Sequence, residues 1–245
     1  MYSTDHRVGY SEVDENRDIR IVELVNRLQD CSVFQAEEFG VGLAGLAERG
    51  LAWVLVATRI EIDRFPRLFG KITVSTWCYE VKRFAARRGF IVADESGRTI
   101  LRGDGLYAMF STELGHSCTV PDDERGYVSD VPRAEMAPLE RRLSLGPDPA
   151  GLPEIVVAKH HIDTNAHVNN AQYIQIALDA LEAGGRIVDR RSVRAIDVHY
   201  RSQARMGDII RPRFSEDAGA LTVALESAEG DEYAVVRLSC DGSTD

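Results

Sequence analysis

No stretch of this chain is apolar for long enough to cross a bilayer. Its longest run, 51–57 (LAWVLVA), falls well short of the ~20 residues that a spanning helix needs. The opening residues, Met1-Tyr-Ser-Thr-Asp-His-Arg7, hold no apolar signal core. Cysteine is sparse. Cys31, Cys78, Cys118 and Cys240 are scattered and form no C-x-x-C pair, so the expectation is a reduced, cytoplasmic protein. Positive charge is in the minority, with 29 basic residues against 39 acidic ones and a net charge of −10. That balance argues against nucleic acid as a general partner. The H-x-x-x-H spacing of a helical zinc site is missing. His160 and His161, read as strand residues on opposite faces, do not supply one either, and no metal or cofactor is expected. What remains is an ordinary globular composition, 44% hydrophobic and 28% charged.

The segment Asp163-Thr-Asn-Ala-His-Val-Asn-Asn-Ala-Gln-Tyr173 stands out. It sets a carboxylate (Asp163), an amide (Asn165) and an imidazole (His167) at i, i+2 and i+4. In extended backbone these positions share a face and can converge. Asn169 is a good N-cap and Gln172 follows three residues on, as in a capping box. A helix beginning there would bring free N–H groups beside the three side chains. That combination suits chemistry on a carbonyl.

An earlier segment repeats the pattern. Asp14-Glu-Asn16-Arg-Asp18-Ile19 lines up with Asp163-Thr-Asn165-Ala-His167-Val168, and Asp30 matches Asp179 at the same spacing. The first copy has Asp18 where the second has His167. A duplicated scaffold with one specialised site is the reading that follows. In the first copy Asp-x-Asn is taken as a turn-and-cap pattern.

The rest of the chain fits a duplication. In the first half Asp18 is expected to cap a helix to about Phe39, with Gly40 as its stop. Ile21, Leu24, Val25, Leu28 and Cys31 give that helix one apolar face. Strands are expected at 51–63, 70–80, 86–94 and 99–111, with a hairpin turn at 95–98. Residues 117–153 hold Pro121, Pro132, Pro138, Pro147, Pro149 and Pro153 and read as a linker with one short helix. The second half offers a strand at 155–162, a helix at 170–183 ending on Gly184-Gly185, and strands at 192–201, 206–215, 220–228 and 232–240. Short connections mean antiparallel neighbours, and each helix stripe can bury one sheet face. The fold class expected is α+β: two tandem hotdog units, 1–116 and 154–245, the second carrying the catalytic segment.

At these residues the chain resembles the acyl-acyl carrier protein thioesterases of plants and bacteria. The resemblance rests on Asp163-x-Asn165-x-His167-Val-Asn-Asn170-x-x-Tyr173 and Ile196-x-Val-x-Tyr200-Arg. In the first half it rests on Trp53-Val-Leu, Arg64-Phe-Pro66 and Thr76-Trp77. It implies a double hotdog that hydrolyses fatty acyl thioesters at Asp163, Asn165 and His167. One place departs. The family usually has Glu, often followed by Cys, shortly after the Tyr-Arg pair; here Gln203 and Ala204 stand there. A cysteine nucleophile is unavailable, and Gln203 can orient a water but cannot accept a proton.

Thioester hydrolysis needs an activated water and a polarised carbonyl. Either Asp163 or His167 is expected to take the water, with Asn165 and Gln203 positioning it. The backbone N–H groups of Val168, Asn169 and Asn170 are the expected oxyanion donors. The expected partner is acyl carrier protein, which is acidic. It would need a basic cluster, such as Lys82-Arg83 with Arg87-Arg88, or Arg186, Arg190, Arg191 and Arg194. Coenzyme A esters, aryl ones included, are the alternative substrates, and a non-catalytic acyl-binding protein is the alternative class. Exposed sheet edges leave a homodimer open.

Overall fold

The structure, a computed structural model, describes residues 1–126, 128–217 and 219–241. It divides into two compact units, Met1–Pro138 and Leu139–Asp245.

The first unit opens with β1 (Tyr2–Arg7) and α1 (Ile21–Glu38), followed by α2 (Leu43–Glu48). Its strands are β2 (Leu51–Ile62), β3 (Lys71–Val81), β4 (Ala85–Asp94) and β5 (Thr99–Ser111), with β6 (His116–Ser117) pairing the end of β5. The sheet order is β1-β3-β4-β5-β2, antiparallel throughout. The expected stripe of α1 is buried from Ile21 to Cys31. Gly40 ends the helix region at a positive φ of 73°, which a residue with no Cβ adopts without strain. Tight packing recurs at Gly89, where a Cβ would lie 2.6 Å from the ring of buried Trp77.

Asp18 does not cap α1. The N-cap is Arg20, and no side chain closes the helix end. Asp18 instead bridges to Arg67, with its carboxylate 3.4 Å from the Arg67 Nε. Helix α2 had no counterpart among the expected elements. The Pro-rich stretch is divided between the units. Residues before 139 are tied to unit 1: Trp77 Nε1 donates to Pro132 O at 3.1 Å, and Arg133 Nε to the buried Asp104 at 2.8 Å. The short helix in this stretch is one 3-10 turn, Asp123–Arg125. Beyond it, Glu140 belongs to unit 2, where its carboxylate accepts from Arg237 at 2.7 Å.

The second unit holds β7 (Ala150–Gly151), β8 (Ile155–Val156), α3 (Asn170–Ala183), β9 (Val193–Tyr200), β10 (Ile209–Asp217), β11 (Ala220–Glu226) and β12 (Glu232–Cys240). Its sheet runs β9-β12-β11-β10-β7, again antiparallel, with β8 on β10. The stripe Val168, Ala171, Ile174, Leu178 and Leu181 is buried. The strand expected over 155–162 covers only Ile155–Val156, because the chain then winds into a 3-10 turn at Lys159–His161. Strand β10 starts later than expected. Asp208 folds back on Arg205, and Gly207 takes a φ of 91°. The turn expected at 216–219 includes Ala218, which lies outside the described residues.

Candidate active site

Asp163 to His167 form a closed turn, not the extended run that the i, i+2, i+4 spacing suggested. Asp163 N donates to His167 O at 2.9 Å, and Ala166 N to Asp163 O at 3.1 Å. The Asp163 carboxylate accepts from Asn165 N at 2.8 Å, and Ala166 adopts a φ of 61°. An aspartate that takes the N–H two residues on reverses the chain, and this local bond outcompetes an extended strand. Asp163 and His167 therefore stand as the two feet of the turn, joined through their main chains. Asn165 is exposed at its tip.

The first copy builds the same turn with the same three bonds and one more, from Asp18 N to the Asp14 carboxylate at 3.1 Å. Asp14 N donates to Asp18 O at 2.9 Å, Arg17 N to Asp14 O at 3.0 Å, and Asn16 N to the Asp14 carboxylate at 2.9 Å. Arg17, like Ala166, is left-handed, at φ 65°. A non-glycine residue there costs roughly 1–2 kcal/mol. Since both turns carry that strain, it belongs to the scaffold and not to the chemistry. The difference lies at the second foot. In unit 1 Asp18 is 8% exposed and paired with Arg67. In unit 2 His167 is half-buried, and its Nδ1 is buried with no hydrogen-bond partner among the described residues.

The helix start matches expectation only in part. Asn169 caps α3, its side chain accepting from Ala171 N at 2.8 Å. The expected oxyanion donors are mostly committed elsewhere. Val168 N donates to Ala204 O and Asn169 N to His161 O, each at 2.9 Å. Buried main-chain groups find partners, and these two have done so within the fold. Of the three, only Asn170, the first residue of α3, donates no such bond among the described residues.

A tyrosine with no assigned role in the sequence braces the site. Tyr173 Oη accepts from Ala204 N at 2.9 Å, and the ring meets Tyr200 edge-on at 5.9 Å. Tyr200 in turn donates to Asn170 O at 3.2 Å. Burial, against the opposing bond from Ala204, pushes the Tyr173 phenol up to about 12, so it stays protonated. Ala204 is fully buried. We expect Tyr173→Phe to leave the Ala204 N–H unpaired and to lower unfolding stability by about 1–3 kcal/mol, measured by urea denaturation. A change under a few tenths would show that this brace contributes nothing. Gln203 is exposed and lines an open groove with Arg201, Ser202, Ser227 and Tyr233. Among the described residues it is linked to the turn through its neighbour Ala204, whose carbonyl accepts from Val168 N.

His160 and His161 sit on the 3-10 turn with ring centroids 4.1 Å apart, not on opposite strand faces. Of the basic clusters, Arg88 is buried and hydrogen-bonded to Gln35 and Thr76, which removes it from any docking surface. Arg186 pairs with Glu216 and Arg194 with Asp241.

The N-terminal domain model of the acyl-ACP thioesterases matches residues 1–127, and the C-terminal domain model matches residues 152–239. The chain belongs to the acyl-ACP thioesterase family. That membership makes it a thioester hydrolase by class. Oleoyl-acyl carrier protein thioesterase 1 of Arabidopsis thaliana is 27% identical over 94% of this chain and 70% of its own length. A second Arabidopsis oleoyl-acyl carrier protein thioesterase, also 27% identical, is covered over only 58% of its length. Among solved structures, an acyl-ACP thioesterase from Bacteroides thetaiotaomicron superposes with a TM-score of 0.88 at 23% identity, covering 98% of this chain and 97% of that one. The 12:0-ACP thioesterase of Umbellularia californica gives 0.83 at 20% identity, covering 98% and 96%. At such identities the likeness speaks for the fold, a hotdog-type α+β architecture.

Proposed function

We propose that the chain hydrolyses fatty acyl thioesters of acyl carrier protein and releases the free fatty acid. In this reading residues 1–116 and 154–245 are tandem hotdog units, and the second carries the site. The observation that carries it is the contrast between the two turns. One main-chain scaffold ends in Asp18, paired with Arg67, in unit 1 and in His167, whose buried Nδ1 has no partner among the described residues, in unit 2.

His167 takes a proton from the attacking water as the C–O bond forms, and returns it to the thiolate as the C–S bond breaks. Asp163, on the other foot, is the second group able to hold that water and accept its proton. Asn165 at the tip and Gln203 in the neighbouring groove hold the water or the entering thioester. The Asn170 N–H, at the positive end of α3, is the oxyanion donor that the hydrogen bonding leaves open. The four unpaired cysteines fit a reducing, cytoplasmic setting. Among the described residues no helix is long and apolar enough to cross a membrane.

The test is a paired assay of one acyl chain on carrier protein and on coenzyme A. We expect the carrier-protein substrate to have the higher kcat/KM. A clear preference for coenzyme A would move the chain to the other carrier.

A further inference from the structure

Each unit places a three-residue 3-10 turn ahead of its Asp-x-Asn turn: Tyr10–Glu12 in unit 1 and Lys159–His161 in unit 2. In both, the third residue reaches back to the N–H that precedes the turn. Gly9 N donates to Glu12 Oε2 at 2.6 Å, and Ala158 N donates to His161 Nδ1 at 3.0 Å. In both, the same residue's carbonyl accepts from the residue before the long helix. Arg20 N donates to Glu12 O and Asn169 N to His161 O, each at 2.9 Å. One residue thus pins the chain on both sides of the turn, to Ala158 before it and to Asn169 after it.

The two pins differ in chemistry. Glu12 is a carboxylate that also meets His6 at 2.8 Å and Arg27 at 3.7 Å. Burial opposes its charge, but the Gly9 N–H and His6 outweigh that and hold the carboxyl below its usual range. It remains an acceptor at any ordinary pH. His161 is 7% exposed and accepts only while Nδ1 keeps its lone pair, which requires the neutral, Nε2–H tautomer. Protonation would set an Nδ1–H against the Ala158 N–H, donor to donor. Burial first, then His160 beside it, disfavour the cation; Asp179 from α3 favours it, and the balance lowers the imidazole below its ordinary value.

We propose that His161 is a proton-sensitive positioning residue for the catalytic turn: neutral, it locks Asp163–His167 in place, and protonated, it lets the turn go. The inference rests on the thioesterase reading of that turn. It adds a second cause for loss of activity in acid, separate from any titration of the reacting groups. The sign follows from the lowered value. The lock holds above about pH 6.5, the ordinary value of a free imidazole, and weakens as pH falls below it.

The test compares His161→Asn with the unmodified chain. An asparagine oxygen offers an acceptor close to where Nδ1 stands, and it does not titrate. The first readout is the pH profile of kcat/KM on an acyl carrier protein thioester. We expect His161→Asn to keep at least about threefold more of its plateau activity near pH 5.5 than the unmodified chain, with KM little changed. Superimposable profiles would overturn the proposal. The second readout needs no turnover. In the unmodified chain, the Ala158 and Asn169 amide resonances should shift, and lose exchange protection, along the His161 titration. Amides that ignore that titration would overturn the lock, even with hydrolysis intact. Amides that follow it in a chain without hydrolysis would uphold the lock and remove only the thioesterase reading.

Discussion

Replacing His167 by alanine is expected to lower kcat on an acyl thioester by about 10²–10⁴-fold, the usual contribution of a positioned general base. Two observations make this the largest single effect. The His167 Nδ1 is the buried side-chain nitrogen at this turn with no protein partner among the described residues. The matching position in unit 1 carries a carboxylate already paired with Arg67, so the first copy offers no substitute base. The fold should tolerate the change. His167 holds the turn through its carbonyl, which accepts from Asp163 N and survives in alanine. The check is kcat and KM beside an unfolding curve. Near-normal turnover by a folded His167→Ala chain would remove the imidazole from the mechanism.

The second large effect is expected at Asp163, and the repeat supplies its own control. Asp163→Asn keeps an oxygen that can accept the Asn165 N–H, so the turn survives. What it loses is the carboxylate's charge and its capacity to accept a proton. We expect turnover to fall about a hundredfold with stability nearly unchanged. Asp14→Asn makes the same substitution in the same hydrogen-bonded turn of unit 1. It should leave turnover within about twofold, since no imidazole faces it. Equal losses in the two variants would mean that the carboxylate serves the scaffold alone.

The parts legible in the sequence were those set by neighbouring residues. Helix α3 begins and ends where Asn169 and Gly184-Gly185 imply, and β5 spans 99–111 as its β-branched and aromatic run suggests. The repeated turn could be seen because Asp-x-Asn writes its own hydrogen bonds, and the turn came out alike twice. The parts that were not legible depend on partners far along the chain. Asp18 looks like a helix cap until Arg67, distant in sequence, claims it. Val168 and Asn169 look like free helix-start donors until Ala204 O and His161 O take them. Tyr173 was visible as a letter in the motif, but its bond to Ala204 requires the segment after β9 to fold against α3. At His161 the reason is local. An alternating run ending in Ile162 imitates a strand, whereas a side chain bonding back to Ala158 makes a turn.

Two copies of one turn exist, and in the proposed reading only the second meets substrate. A non-hydrolysable acyl-pantetheine thioether, titrated into the labelled chain and followed residue by residue in NMR spectra, tests this most directly. We expect perturbations centred on 163–170, with the His167 ring among the most affected and residues 14–21 unmoved. A response centred on 14–21, or one that leaves His167 untouched, would contradict it.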